Sequence, residues 1–200
     1  MTAKKDLHTA ARLLAAGEAR AAADRLRALL GAGGLAPGLE ADARYLLGRA
    51  LAALGDRDGM SREWGLVLRL DAAAEPLRPL MSVEEFHSVA EAALDELPRE
   101  LLDELRNVAV MVDERPSALM VADGIDPRRV LGLYHGVPLA KRSVSFGAPY
   151  ADTIHLFRDN LERVCRTREE LAARIRIVVL HETAHFFGYT EAQLRAMGLA

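Results

Sequence analysis

The chain has 200 residues, half of them hydrophobic and 28% charged, with a formal net charge of −3. That balance supplies a buried core, excludes wholesale disorder, and lacks the concentrated basic excess of a nucleic-acid-binding domain. The single cysteine, Cys165, excludes an internal disulfide and points to a reducing compartment, where it reads as a structural thiol because no activating base stands near it in sequence. At the N-terminus, "MTAKKDLHTAARLLAAGEARAA" holds no secretory apolar stretch, since His8, Arg12 and Glu18 interrupt it. No window approaches the ~18 apolar residues that span a bilayer. A cytoplasmic protein without membrane or nucleic-acid partners is expected.

Residues 7–30 carry apolar side chains at helical spacing, among them Leu7, Ala11, Leu14, Ala22, Leu26, Leu29 and Leu30, with a break at Gly17. The Gly- and Pro-rich "GAGGLAPG" (31–38) is a loop. Two further helices are predicted over 40–54 and 57–70, separated by "GDRD". Leu47-Gly48, Leu51, Gly55, Met60, Trp64 and Val67 in this pair resemble a tetratricopeptide repeat, in which a small residue lets two helices approach and large ones fill the groove. Gly17, Ala22, Leu26 and Leu29 repeat the pattern less closely. An ordinary pair of helical hairpins is the alternative. Either way, so few repeats are expected to dock on other structure.

A linker is predicted over "AAAEPLRPLM" (72–81), followed by Ser82 and Glu85 as a capping box. The helix they start runs to about Leu97 and turns Phe86, Val89, Ala90, Ala93 and Leu94 to one face. "NVAVMVD" (107–113) reads as a strand from its β-branched content, and "LGLYHG", "RSVSF" and "TIHLFRD" as short strands among many Gly and Pro residues. "TIHLF" (153–157) is either an ordinary sheet strand or an edge along which an extended peptide lies. From Thr167, "TREELAARIRIVVLHETAHFFG" begins with a cap and two glutamates suited to a helix N-terminus. "RIRIVVL" alternates as a strand does, but the residues that follow it make chemical sense only on a helix.

Those residues are "HETAHFFGYTE". Four apart on a helix, His181 and His185 share a face and can present both imidazoles to one zinc ion. Glu182 projects away from that ion and is placed to hold a water beside it as general base. A catalytic zinc needs a third protein ligand and an open fourth position. After His185 the one remaining side chain of suitable chemistry is Glu191. A straight helix would carry it ~15 Å along the axis from His181. Gly188 stands where a left-handed residue can end the helix and reverse the chain. Chance produces H-E-x-x-H in roughly one such chain in a hundred, and the added glycine lowers that about tenfold. The strongly apolar Ile175, Val178, Val179 and Leu180 ahead of the motif also speak against two solvated surface histidines.

Residues 80–200 resemble the small bacterial metallopeptidase-like proteins called minimal zincins, through "LGLYHGVPL", "RSVSFG", "IHLFRDNLE" and "HETAHFFG". The resemblance implies an α+β zincin-like domain with zinc on His181, His185 and Glu191 and Glu182 as the base. The third ligand in that family is commonly Asp; Glu191 is one methylene longer. In the related metzincins it is His, with a methionine turn below the metal, for which Met197 is the downstream candidate. Tyr189, Tyr134, His135 and His155 are candidate donors to the developing oxyanion.

Glu182-x-x-His185 and Glu84-x-x-His87 also supply two halves of a di-iron motif, but that site requires a four-helix bundle and the Gly- and Pro-rich middle of the chain does not fit one. The expected architecture is a helical, tetratricopeptide-like region over 1–75 and a zincin-like metallopeptidase domain over 76–200. The expected function is zinc-dependent hydrolysis of peptide bonds through a metal-activated water, with a peptide or protein substrate and a protein partner for the N-terminal helices. The alternative is a non-catalytic peptide- or protein-binding adaptor whose structural metal takes a fourth protein ligand, such as His155 or His135.

Overall fold

Helical periodicity in the first third gives way to β-branched runs after residue 107, and the secondary structure follows that change. A computed structural model describes residues 2–75, 78–141 and 152–197. Its helices are α1 (Thr2–Ala15), α2 (Ala19–Ala32), α3 (Pro37–Ala53), α4 (Arg57–Ala73), α5 (Val83–Asp95), α6 (Arg99–Glu104), α7 (Ala118–Ala122), α8 (Arg158–Val164), α9 (Arg168–Phe186) and α10 (Glu191–Ala196). Its strands are β1 (Val108–Asp113), β2 (Gly132–His135) and β3 (Asp152–Phe157). The strand expected over "RSVSF" lies outside the described residues. None of the described helices is long and apolar enough to cross a membrane.

Two compact units result. The first joins Met1–Pro76 to Pro116–Arg128, a piece that the sequence reading left in the second domain. Helices α1 to α4 each pack on the next. Pro37 opens α3 at a position where its missing N–H costs nothing. Asp56 caps α4 by accepting from the Gly59 N–H at 2.8 Å. Ala10 is buried where Ala11 was expected, because the inward stripe of α1 runs through Leu7 and Ala10, three apart. Gly48 meets Trp64 so closely that a Cβ there would lie 2.3 Å from the indole Cδ1. The contact expected of this pair is present, although it does not separate a tetratricopeptide repeat from any tight helical hairpin.

Val121 of α7, 1% exposed, completes the apolar core of this unit. Arg128 anchors the same segment. Its guanidinium donates to both carboxylate oxygens of Asp71 at 2.8 and 2.6 Å, and to Asp42 at 2.8 Å. It also lies 5.2 Å from the centre of the Tyr45 ring, whose hydroxyl donates to Asp126 at 3.1 Å. The Arg128 and Asp71 side chains are only 15% and 9% exposed. Removing either would strand a buried charge.

The second unit, Leu77–Arg115 with Arg129–Ala200, holds a three-stranded mixed sheet in the order β1-β3-β2. β3 pairs with β1 in parallel and with β2 antiparallel. It is therefore the central strand of the described sheet, which favours the ordinary-strand alternative for "TIHLF" over the edge. Its inward residues Ile154 and Leu156 are fully buried with Phe86, Ala90 and Ala93 of α5 and Leu171, Ile175 and Val179 of α9. Thr167 caps α9 by accepting from the Glu170 N–H at 3.2 Å. The β-branched "RIRIVVL" is helical after all: burial of Ile175, Val178 and Val179 against the sheet outweighs the small propensity cost of branching.

Candidate metal centre

One helix face supplies most of the site. His181 and His185, one turn apart on α9, bring their Nε2 atoms to 3.0 Å. α9 then ends in a Schellman motif: the Gly188 N–H donates to the His185 carbonyl and the Tyr189 N–H to the Ala184 carbonyl, both at 3.0 Å. Gly188 has φ +93°, a conformation that a Cβ would strain. Thr190 starts α10 through a capping box with Gln193, and the first residue of that helix is Glu191. The reversal carries Glu191 Oε1 to 3.2 Å from His185 Nε2 and 3.3 Å from His181 Nε2.

These three donor atoms make a nearly equilateral triangle. A tetrahedral ion with bonds of about 2.0–2.1 Å sets neighbouring donors roughly 3.3–3.4 Å apart, close to the spacing seen. The donor chemistry, two imidazoles and one carboxylate, also suits zinc. His185 Nδ1 lies 3.0 Å from the Tyr189 carbonyl oxygen. A carbonyl only accepts, so Nδ1 carries the proton and Nε2 keeps its lone pair for a ligand. Loss of solvation is the largest single influence on Glu191 and raises its pKa, but the two imidazoles together outweigh it and hold the carboxyl below the usual range.

Glu182 is not one of the three donors, although it lines the same cleft. It is 7% exposed, and its Oε2 accepts the backbone N–H of Tyr134 at 2.8 Å. Burial pushes its carboxyl above the usual carboxylate range, against the pull of that N–H and of the nearby imidazoles. The close crossing of β2 over α9 depends on Gly132. A Cβ there would lie 2.5 Å from Val178 Cγ1, 3.0 Å from Glu182 Cγ and 3.2 Å from Glu182 Oε1. We expect Gly132→Ala to cost about 1–3 kcal/mol of stability and to reduce any Glu182-dependent activity while bound metal is retained. Thermal denaturation, metal content and rate, measured together on the purified variant, check this.

The cluster lies in a cleft of about 770 Å³ lined by β2, α9 and the turn at Gly188. Of the four candidate oxyanion donors, Tyr134 and Tyr189 line this cleft. The Tyr134 hydroxyl donates to Asp152 at 2.7 Å, while Tyr189 is 43% exposed. His155 sits on the sheet between Asp113 at 2.7 Å and Thr153 at 3.1 Å. Neither His155 nor His135 belongs to the metal-ligand cluster found among the described residues, which consists of His181, His185 and Glu191. Glu84 on α5 is exposed and outside the cluster, so no di-iron pair forms among the described residues. Met197 is 56% exposed at the end of α10 and supports nothing from beneath. Burial pushes the Cys165 thiol up, in line with a structural role.

Sequence reasoning missed Gly132 and the Tyr134 N–H. The first is a small residue in a strand, a signal for close backbone approach; the second has no side-chain signature. No curated protein matches the chain. The family model described as "Zincin-like metallopeptidase" matches residues 105–199, the stretch that runs from the approach to β1 through α10 and carries every group of the cluster.

Proposed function

We propose that this unit is a zinc-dependent metallopeptidase, with His181, His185 and Glu191 as ligands and Glu182 as general base. The observation that carries the reading is the triangle of donor atoms 3.0–3.3 Å on edge, beside a buried carboxylate in an open cleft. Bound there, zinc supplies Lewis acidity that makes a water more acidic and polarises a carbonyl.

The chain's own groups do the rest. Tyr134 fixes Glu182 Oε2 through its N–H, which leaves Oε1 to take a proton from the attacking water and return it to the leaving amine. The raised affinity of this carboxyl for a proton suits both transfers. The Tyr189 carbonyl holds the His185 tautomer. Tyr189, whose hydroxyl is not committed to Asp152 as that of Tyr134 is, is the better-placed donor to the developing oxyanion. An adaptor with a structural metal would need a fourth protein ligand, and neither His135 nor His155 lines this cleft.

Zinc analysis of the purified chain, with casein hydrolysis before and after chelation, tests the proposal. One zinc per chain is expected, with activity lost on chelation and restored by zinc. Hydrolysis that survives complete zinc removal would refute it.

A further inference from the structure

Besides Glu182, Glu191 and two tyrosines, the ionisable side chains lining this cleft are cationic or imidazole: Arg129, Lys141 and Arg174 join His181 and His185. Neither Lys141 nor Arg174 takes part in a described ion pair. Arg174 is exposed on α9. It precedes Val178, His181 and His185 by four, seven and eleven residues, so it shares their helix face. Seven residues of helix put it about 10 Å along the axis from His181. An extended peptide covers that distance in roughly three residues. The rest of the lining is largely apolar, with Leu133, Pro138, Ile177 and Val178.

We infer that the cleft selects acidic peptides, with a carboxylate about three residues from the scissile bond seated on Arg174 and Lys141. This rests on the peptidase reading for the identity of the substrate and adds its charge class. The glutamates already present do not serve as that carboxylate, since one faces Tyr134 and the other the imidazoles. A concave site with low-dielectric walls concentrates the field of Arg174 and Lys141.

The test uses fluorescent peptides that match except for glutamate or glutamine three residues to either side of a central bond. Binding to the full-length Glu182→Gln protein is followed by anisotropy, and cleavage by the wild type is measured in parallel. At low salt, a glutamate peptide should bind roughly five- to twentyfold more tightly than its glutamine counterpart. Raising salt to about 0.5 M should remove most of the difference. Arg174→Glu or Lys141→Glu should erase or reverse the preference, whereas Arg20→Glu, the same charge change on α2, should leave it. Equal binding of both peptides at low salt overturns the inference, as does an equal effect of the cleft and α2 substitutions. Acidic preference without cleavage of any peptide by the zinc-loaded wild type supports the inference and removes the peptidase reading.

Discussion

Replacing Glu182 with glutamine is expected to slow peptide hydrolysis by roughly 10²–10⁴-fold with zinc content unchanged. The substitution preserves shape, and an amide oxygen can still accept the Tyr134 N–H that now holds Oε2 at 2.8 Å. What it removes is a carboxyl whose hold on a proton is strengthened by burial. Because Glu182 is not a member of the ligand cluster formed by His181, His185 and Glu191, metal affinity is predicted to remain. Removal of a buried carboxylate whose charge is disfavoured by desolvation should also leave stability equal or slightly higher. The measurements are kcat on a casein-like substrate, zinc stoichiometry and thermal midpoint. Wild-type and variant rates that agree within error would remove Glu182 from the chemistry.

His185→Ala should give the opposite pattern: loss of metal, with activity lost as a consequence. It removes one corner of the triangle and the contact from Nδ1 to the Tyr189 carbonyl that steadies the turn at Gly188. Substituting only a partner of a zinc ligand commonly costs 10–100-fold in affinity, so loss of the ligand itself should cost more than about 100-fold. Zinc bound at a hundred times its dissociation constant stabilises a folded protein by about 2.7 kcal/mol. Added zinc should therefore raise the thermal midpoint of the wild type and leave that of the variant nearly unmoved. Titration calorimetry and melting curves with and without zinc read both effects. A variant that binds zinc as tightly as the wild type would place the metal elsewhere.

Local chemistry was legible and distant chemistry was not. The spacing of His181 and His185, the break at Gly188 and the reach of Glu191 all depend on eleven consecutive residues, and helix geometry alone links them. The cap at Thr167 and the inward face of α5 were readable for the same reason. By contrast, Glu182 and Tyr134 are 48 positions apart, and nothing in either residue type announces a backbone N–H as partner. Gly132 could be seen as a weak point in a strand, but not as the place where that strand crosses α9. The central position of β3 depends on pairing with β1 and β2, which no pattern within β3 encodes. α7, α8 and α10 span five to seven residues, too short for periodicity to show.

The bond between Arg128 and Asp71 has a bearing on synthesis. The ribosome releases the first four helices well before residue 128, so Asp71 and the hole later filled by Val121 must wait for partners from more than fifty positions downstream. A nascent chain arrested near residue 76 would hold a partly finished hydrophobic interior and an acidic residue without its counterion. Maturation of the N-terminal unit is thereby timed to the arrival of sequence from the other side of β1, and cutting the gene at the apparent linker would yield a fragment that lacks a piece of itself.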